Sequence, residues 1–200
     1  MPRFDPAMPL VHPLPDPERV EVRRGLGYAS FGGRELAMDL YLPAGRPPEA
    51  RLPAVLLVHG EAPPELLRGV LGWGQYQGWG RLLAGEGLAG VAFEHSAVAA
   101  AVLAGPAAGV RCAALCYGPP GDLEPRPELP PLLVVRAGRD DPELNGDIDR
   151  FAAAAADRGL PVELVEVPDG HHAFDVLDDT DASRAAIRRV LGFLGERLAA

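Results

Sequence analysis

The stretch LAGVAFEHSAVAAAVL, residues 88–103, decides the fold that the sequence predicts. It begins with an apolar run, through Phe93, that is typical of a strand buried on both faces. It ends with an alanine-rich run that favours a helix. Ser96 lies where the strand pattern gives way to the helix pattern. We therefore predict a strand-to-helix turn at this serine.

The rest of the chain repeats the alternation of strand and helix. Short apolar runs predict further buried strands at residues 52–60, 110–117, 132–137 and 162–167. Helices are predicted over 79–84, 144–158 and about 182–199, where apolar residues recur every three or four positions. Two runs that alternate apolar and polar residues, 20–23 and 36–42, predict antiparallel strands at a sheet edge. The pattern predicts an α/β protein with a mostly parallel sheet, antiparallel leading strands and helices on both faces.

Length and composition restrict the classes of function. The 200 residues, 48% of them hydrophobic, fit a proline-rich arm over 1–19 and a single domain over 20–200. A net charge of −9 argues against nucleic acid and anionic membranes as partners. No apolar stretch is long enough to span a bilayer, and none resembles a secretory signal. We expect a cytoplasmic protein whose two cysteines are reduced.

Polar residues that could carry chemistry follow several of the predicted strands. They are His59, Ser96, Asp141 and His172. Ligands of open α/β sheets bind outside the carboxyl ends of the strands, so this shared position favours one site. Serine, histidine and aspartate are the residue types of a nucleophile, its general base and the group that orients the base. We predict Ser96, His172 and Asp141 in these three roles.

Neighbouring residues leave two of the roles open. Asp140 competes with Asp141, although Pro142 restricts the backbone of Asp141 and favours a fixed side chain there. His171 competes with His172, which we prefer because an aromatic residue two positions later could anchor its loop.

Backbone N–H groups are predicted to bind the negative charge that develops on a substrate carbonyl. Gly60 and Glu61 would supply them after one strand, and Ala97 would supply another after the serine. A nucleophile at Cys116 is disfavoured, because the prolines that soon follow it prevent a helix that would lower the thiol pKa. We predict no metal site, because His171 and His172 have no glutamate at helical spacing and the two cysteines lie on a buried strand. We predict no dinucleotide cofactor, and no other, since the glycines at 72–80 do not follow an apolar strand.

Several segments, taken in chain order, resemble the α/β-hydrolase superfamily, and more closely its dienelactone hydrolase and acyl-esterase branches. They span most of residues 36–198 and are Leu40–Pro43, Ala54–Gly60, Trp79–Ala84, Gly138–Pro142 and His172–Asp175. The resemblance implies an α/β-hydrolase-like three-layer sandwich. It also implies a hydrolase of small carboxylic esters or lactones that forms an acyl-enzyme on Ser96, with His172 and Asp141 as base and acid.

The chain departs from that family around the serine. Glu94 and Val98 replace the glycines of the Gly-x-Ser-x-Gly turn. The strand at 88–95 meets the serine directly, whereas family members place a crossover helix and another strand between them. We therefore expect a fold shortened by one helix and one central strand. Either the strand at 110–117 pairs with 88–95, or an apolar sheet edge is exposed and could join two copies of the chain. The alternative hypothesis for function is a non-catalytic scaffold that binds a small molecule or a partner.

Overall fold

The computed structural model describes residues 5–60, 67, 69–93, 109–118 and 124–199, without the side chain of residue 31. The chain forms two compact units. One runs from Asp5 to Ala99, and the other consists of Met1–Phe4 and Ala100–Ala200. Each unit has its own sheet. Ser96 and the helix predicted after it lie outside the described residues.

The N-terminal unit is built on a mixed sheet of four strands with the order β1-β2-β4-β3. The strands are β1 (Val20–Phe31), β2 (Arg34–Pro43), β3 (Ala54–Leu57) and β4 (Ala89–Phe93). β1 pairs antiparallel with β2, β2 pairs antiparallel with β4, and β3 pairs parallel with β4. This confirms the antiparallel leading strands.

A helix of this unit, α1 (Gly74–Gly85), packs closely against the sheet. A Cβ atom on Gly80 would lie 2.4 Å from the ring of Tyr41, which is fully buried in β2. A Cβ atom on Gly90 of β4 would lie 3.1 Å from the Cα atom of Gly80. The helix begins at Gly74, five residues before the predicted start at Trp79. Its glycines weaken an isolated helix, which is why the sequence did not predict this turn, but in the folded chain they let β2 and β4 approach the helix closely.

The C-terminal unit is built on three parallel strands with the order β5-β6-β7. The strands are β5 (Ala113–Cys116), β6 (Leu132–Ala137) and β7 (Val162–Val167). Three helices accompany them among the described residues: α2 (Pro142–Asp157), the short α3 (Phe174–Leu177) and α4 (Asp181–Leu198). The predicted alternation of strand and helix is confirmed here.

Two helices enclose this parallel sheet. Leu132 and Val134 of β6 pack with Ile148 and Phe151 of α2. Successive side chains of a strand point to opposite faces, and the intervening β6 residues are also fully buried. α4 contacts the same three strands, with its own apolar face buried. Helix, sheet and helix therefore form the three layers that the sequence predicted.

The pairing of β4 decides between the two outcomes expected for a shortened sheet. β4 is hydrogen-bonded along both edges, to β2 and to β3. The alternative in which the strand at 88–95 pairs with the strand at 110–117 is therefore wrong. Among the described strands β3 stands last in the order of its sheet, and Leu56 and Val58 are exposed. Pairing of two copies through an exposed edge stays a prediction.

In the part of the chain that the structure describes, no helix combines the length and the apolar character that crossing a bilayer requires.

Candidate active site

A carboxylate and an imidazole meet where two neighbouring strands of the C-terminal unit end. Asp140 follows β6, and His172 follows β7. The Nδ1 atom of His172 lies 2.8 Å from Oδ2 of Asp140. The Asp140 side chain is only 3% exposed, whereas that of His172 is 50% exposed. Because β6 and β7 are parallel neighbours, their carboxyl ends lie at the same edge of the sheet. This is the position predicted for the candidate site residues.

The Asp140 carboxylate is fixed by contacts at both oxygen atoms. Oδ1 accepts a hydrogen bond of 2.8 Å from the backbone N–H of Asp141, and Oδ2 faces His172. The backbone N–H of Asp140 donates to the carbonyl of Ala137, the last residue of β6. The carboxylate is thus held in one orientation toward the imidazole.

Asp141 has a different contact. Its Oδ1 accepts a hydrogen bond of 2.8 Å from the backbone N–H of Glu143, and Asp141 is the N-cap of α2. Pro142 occupies the first turn, as is common at helix starts. The contact that the sequence analysis expected of Asp141 is therefore made by Asp140. Asp141, which precedes Pro142, has an extended backbone with φ −53° and ψ 129°, and its side chain caps the helix instead of contacting the histidine.

Main-chain contacts tie the loop after β6 to the loop after β7. The N–H of Gly138 donates to the carbonyl of Val167, and the N–H of Arg139 donates to that of Gly170, at 2.9 and 2.8 Å. A Cβ atom on Gly138 would lie only 2.0 Å from the carbonyl oxygen of Pro168. Glycine is required at this close approach. These contacts set the separation of the carboxylate and the imidazole.

An aromatic residue at the end of β5 borders the imidazole. The ring centroids of Tyr117 and His172 are 4.9 Å apart in an edge-to-face arrangement, and Phe174 meets Tyr117 at 5.6 Å. Tyr117 has a φ of 43°, in the left-handed region that bulky residues rarely adopt. Its N–H is held by the carbonyl of Val135 at 2.8 Å. Sequence reasoning missed Tyr117, since nothing in the residues around it signals that backbone conformation.

The second histidine is paired with a carboxylate of its own. Nδ1 of His171 lies 2.8 Å from Oδ1 of Asp178, and the backbone N–H of His171 donates to Oδ2 of the same residue at 2.7 Å. Between the two competing histidines, it is His172 that contacts Asp140.

The thiol considered as an alternative nucleophile is poorly suited to that role. Burial, together with the nearby Asp175 carboxylate, raises the pKa of Cys116 to about 12. Burial also raises the pKa of Cys112. Since the thiolate is the reactive form, neither cysteine is activated.

The remaining predicted site residues lie in other parts of the chain. Gly60 follows β3 in the N-terminal unit, is exposed, and its carbonyl lies 2.9 Å from Nδ1 of His59. Ser96, Ala97 and Glu61 lie outside the described residues. Among the residues that are described, no three or more histidines, cysteines or carboxylates are grouped so that they could hold a metal ion.

Solved structures of α/β-hydrolases match the chain, whereas no protein-family model and no curated protein does. Esterase rPPE in complex with (S)-Ac-CPA has a TM-score of 0.64 at 15% identity, covering 92% of this chain and 85% of that chain. A Rhizomucor miehei esterase has a TM-score of 0.62 at 15% identity, covering 94% and 86%. MGS-M1, an alpha/beta hydrolase from a deep-sea Medee basin metagenome library, has a TM-score of 0.60 at 12% identity, covering 92% and 100%. At these identities the likeness shows the fold, which is a shortened α/β-hydrolase fold.

Proposed function

We propose that this chain of α/β-hydrolase fold hydrolyses carboxylic ester bonds of small molecules, with His172 as its general base and Asp140 as the group that orients the base. The observation that carries the proposal is the 2.8 Å contact between Nδ1 of His172 and the buried Asp140 carboxylate. It lies at the carboxyl ends of two parallel strands, where this class of fold binds its ligands. The occurrence of esterases among the solved structures of this fold supports the same reaction.

The pair has the properties that a general base requires. A carboxylate on Nδ1 selects the tautomer in which that nitrogen carries the proton, so that Nε2 can accept one. The same carboxylate stabilises the imidazolium that forms during the reaction. The half-exposed ring of His172 leaves the imidazole accessible to a substrate.

The nucleophile in this proposal is Ser96, on sequence grounds alone. Its Oγ attacks the ester carbonyl while its proton passes to Nε2 of His172. The imidazolium then protonates the leaving alcohol, and an acyl-enzyme remains on the serine. Water attacks the acyl group, His172 accepts its proton, and the carboxylic acid is released as the serine recovers its proton. Backbone N–H groups of Gly60, Glu61 and Ala97 are proposed to bind the oxyanion.

Steady-state hydrolysis of p-nitrophenyl acetate and butyrate tests the proposal, with dihydrocoumarin as the lactone arm. The wild-type chain is expected to hydrolyse at least one of the esters, and His172→Gln is expected to lose this activity. A folded wild-type chain that is no faster than His172→Gln on every substrate would overturn the proposal.

The alternative function is a non-catalytic scaffold that binds a small molecule. It is favoured by Glu94 and Val98, which replace the glycines expected beside the nucleophile. Under this alternative the folded wild-type chain would bind a short-chain ester or acid in isothermal titration calorimetry without hydrolysing it.

A further inference from the structure

We infer that Asp178 is a positioning residue for His172 and acts through His171, an inference that rests on the proposed function. Both oxygen atoms of the Asp178 carboxylate contact the residue that precedes the general base. Oδ2 accepts the backbone N–H of His171 at 2.7 Å, and Oδ1 lies 2.8 Å from its Nδ1. The Asp178 side chain is only 13% exposed, so these contacts are shielded from water.

The contacts close a loop of the chain around the general base. Asp178 follows α3 and is its C-cap, and its own N–H donates to the carbonyl of Phe174 at 3.0 Å. Its carboxylate reaches back across the short helix to His171. His172 therefore lies within a segment whose two ends, His171 and Asp178, are joined by two hydrogen bonds.

The backbone inside this loop needs such support. Ala173, directly after His172, has a φ of 63°, in the left-handed region that residues with a Cβ atom rarely adopt. Strained conformations of this kind persist only where surrounding contacts determine them. α3 has no side-chain cap at its start, so the capping contact that often fixes a helix entry is missing from this one. The Asp178 carboxylate supplies a fixed point one residue before His172.

Two contacts of the imidazole itself restrain it among the described residues. Half of the His172 side chain is exposed, its polar contact is the one to Asp140, and its ring meets Tyr117 edge to face. Upstream, the carbonyl of Gly170 is tied to the N–H of Arg139. The contacts of Asp178 restrain the next residue, so the backbone is fixed at two successive positions before the base. Loss of the Asp178 carboxylate would release the backbone at His171, and the geometry of the His172–Asp140 contact would loosen.

The test compares three variants of the full chain. Asp178→Ala removes both contacts to His171. Asp178→Asn keeps a carbonyl oxygen for the N–H of His171 and an amide that can donate to its ring. Asp179→Ala is the matched control, because that exposed neighbour pairs instead with Arg184 of α4.

The first readout is the downfield proton resonance of Nδ1–H of His172 in its contact with Asp140, assigned by its absence in His172→Gln. This signal needs no substrate and no activity. We expect Asp178→Ala to lose or broaden it, while Asp178→Asn and Asp179→Ala retain it. Circular dichroism shows whether each variant is folded. If Asp178→Ala does not fold, Asp178→Ser takes its place with the same expectation.

The second readout is the kinetics of ester hydrolysis. We expect kcat of Asp178→Ala to fall by up to about 100-fold at an unchanged KM, because His172 is displaced from its productive position, with Asp178→Asn restoring most of it. A folded Asp178→Ala that keeps the His172 resonance and the kcat of Asp179→Ala would overturn the inference. If the resonance changes as expected but no form of the chain hydrolyses an ester, the positioning role stands and the proposed function fails.

Discussion

The carboxylate of Asp140 lies 2.8 Å from Nδ1 of His172, although Asp140 and Asp141 are neighbours in the chain and either could have been expected there. The side chains of these two adjacent aspartates have different contacts. Asp140 contacts the imidazole, and Asp141 caps the helix that follows. The two contacts can be tested separately, because loss of the Asp140 contact should lower kcat and loss of the Asp141 contact should lower the free energy of unfolding.

Replacement of Asp140 by Asn is expected to reduce kcat for ester hydrolysis by about 10⁴-fold. The amide keeps the shape of the side chain but no longer selects the reactive tautomer of His172. The matched variant, Asp141→Asn, keeps a side-chain oxygen at the N-cap and should retain near wild-type kcat. Equal losses of kcat in the two variants would contradict the assignment.

Replacement of Asp141 by Ala is expected to lower the free energy of unfolding by about 1 kcal/mol. The alanine leaves the N–H of Glu143 without its side-chain acceptor. Urea denaturation measures the change, with Asp141→Asn as the control that stays within a few tenths of a kcal/mol of wild type. A fully stable Asp141→Ala would show that the cap is not needed.

Replacement of Gly138 by Ala is expected to destabilise the chain by about 1–3 kcal/mol or more, because the new Cβ atom would overlap the carbonyl oxygen of Pro168. Gly195→Ala in α4 is the control. Apart from its chain neighbours and the adjacent helix backbone, no described atom lies within 4 Å of the Cβ position there, so alanine should stabilise the helix by about 0.5–1 kcal/mol. Thermal denaturation should show a lower melting temperature for Gly138→Ala and a higher one for Gly195→Ala than for the wild-type chain. A neutral Gly138→Ala would mean that the two loops are not held together as described.

Cys116 is expected to resist alkylation by iodoacetamide at pH 8 in the folded chain. Its pKa of about 12 leaves almost no thiolate at that pH, whereas in 6 M guanidinium chloride the thiol should react readily. Mass spectrometry of tryptic peptides locates the label. Rapid modification of Cys116 in the folded chain would contradict the raised pKa.

The same pKa gives the sign of an alkaline effect on stability. The folded state holds the Cys116 proton more tightly than the unfolded state, whose thiol has a pKa near the ordinary value of 9.0. Stability is therefore unaffected by this group below about pH 9 and falls as the pH rises from there to about 12. Urea denaturation at pH 8 and pH 10.5 should show a larger loss in wild type than in Cys116→Ser. Equal losses would exclude Cys116 as the cause.

The sequence predicted the layers of the fold well, because burial leaves a local pattern. β6 is a continuous apolar run flanked by loops, and α2 repeats its apolar residues at helical spacing, so both could be recognised without the structure. The ends of β6 and β7 then placed an aspartate pair and a histidine pair at one edge of the sheet. Which aspartate and which histidine contact each other depends on the directions of their side chains, and the apolar pattern of a strand does not predict these directions.

Contacts between distant residues explain what could not be predicted. Asp141 followed by Pro142 and Glu143 is typical of a helix start, and this signal could have assigned the cap. No comparable signal links Asp178 to His171. The left-handed backbone of Tyr117 likewise depends on its neighbours in space rather than on its own preference.

Labelling by a fluorophosphonate probe measures whether His172 activates a serine nucleophile. We expect one stoichiometric adduct on Ser96 in the wild-type chain, with strongly reduced labelling in His172→Gln and none in Ser96→Ala. No adduct on the folded wild-type chain, or an adduct whose rate is unchanged in His172→Gln, would contradict it.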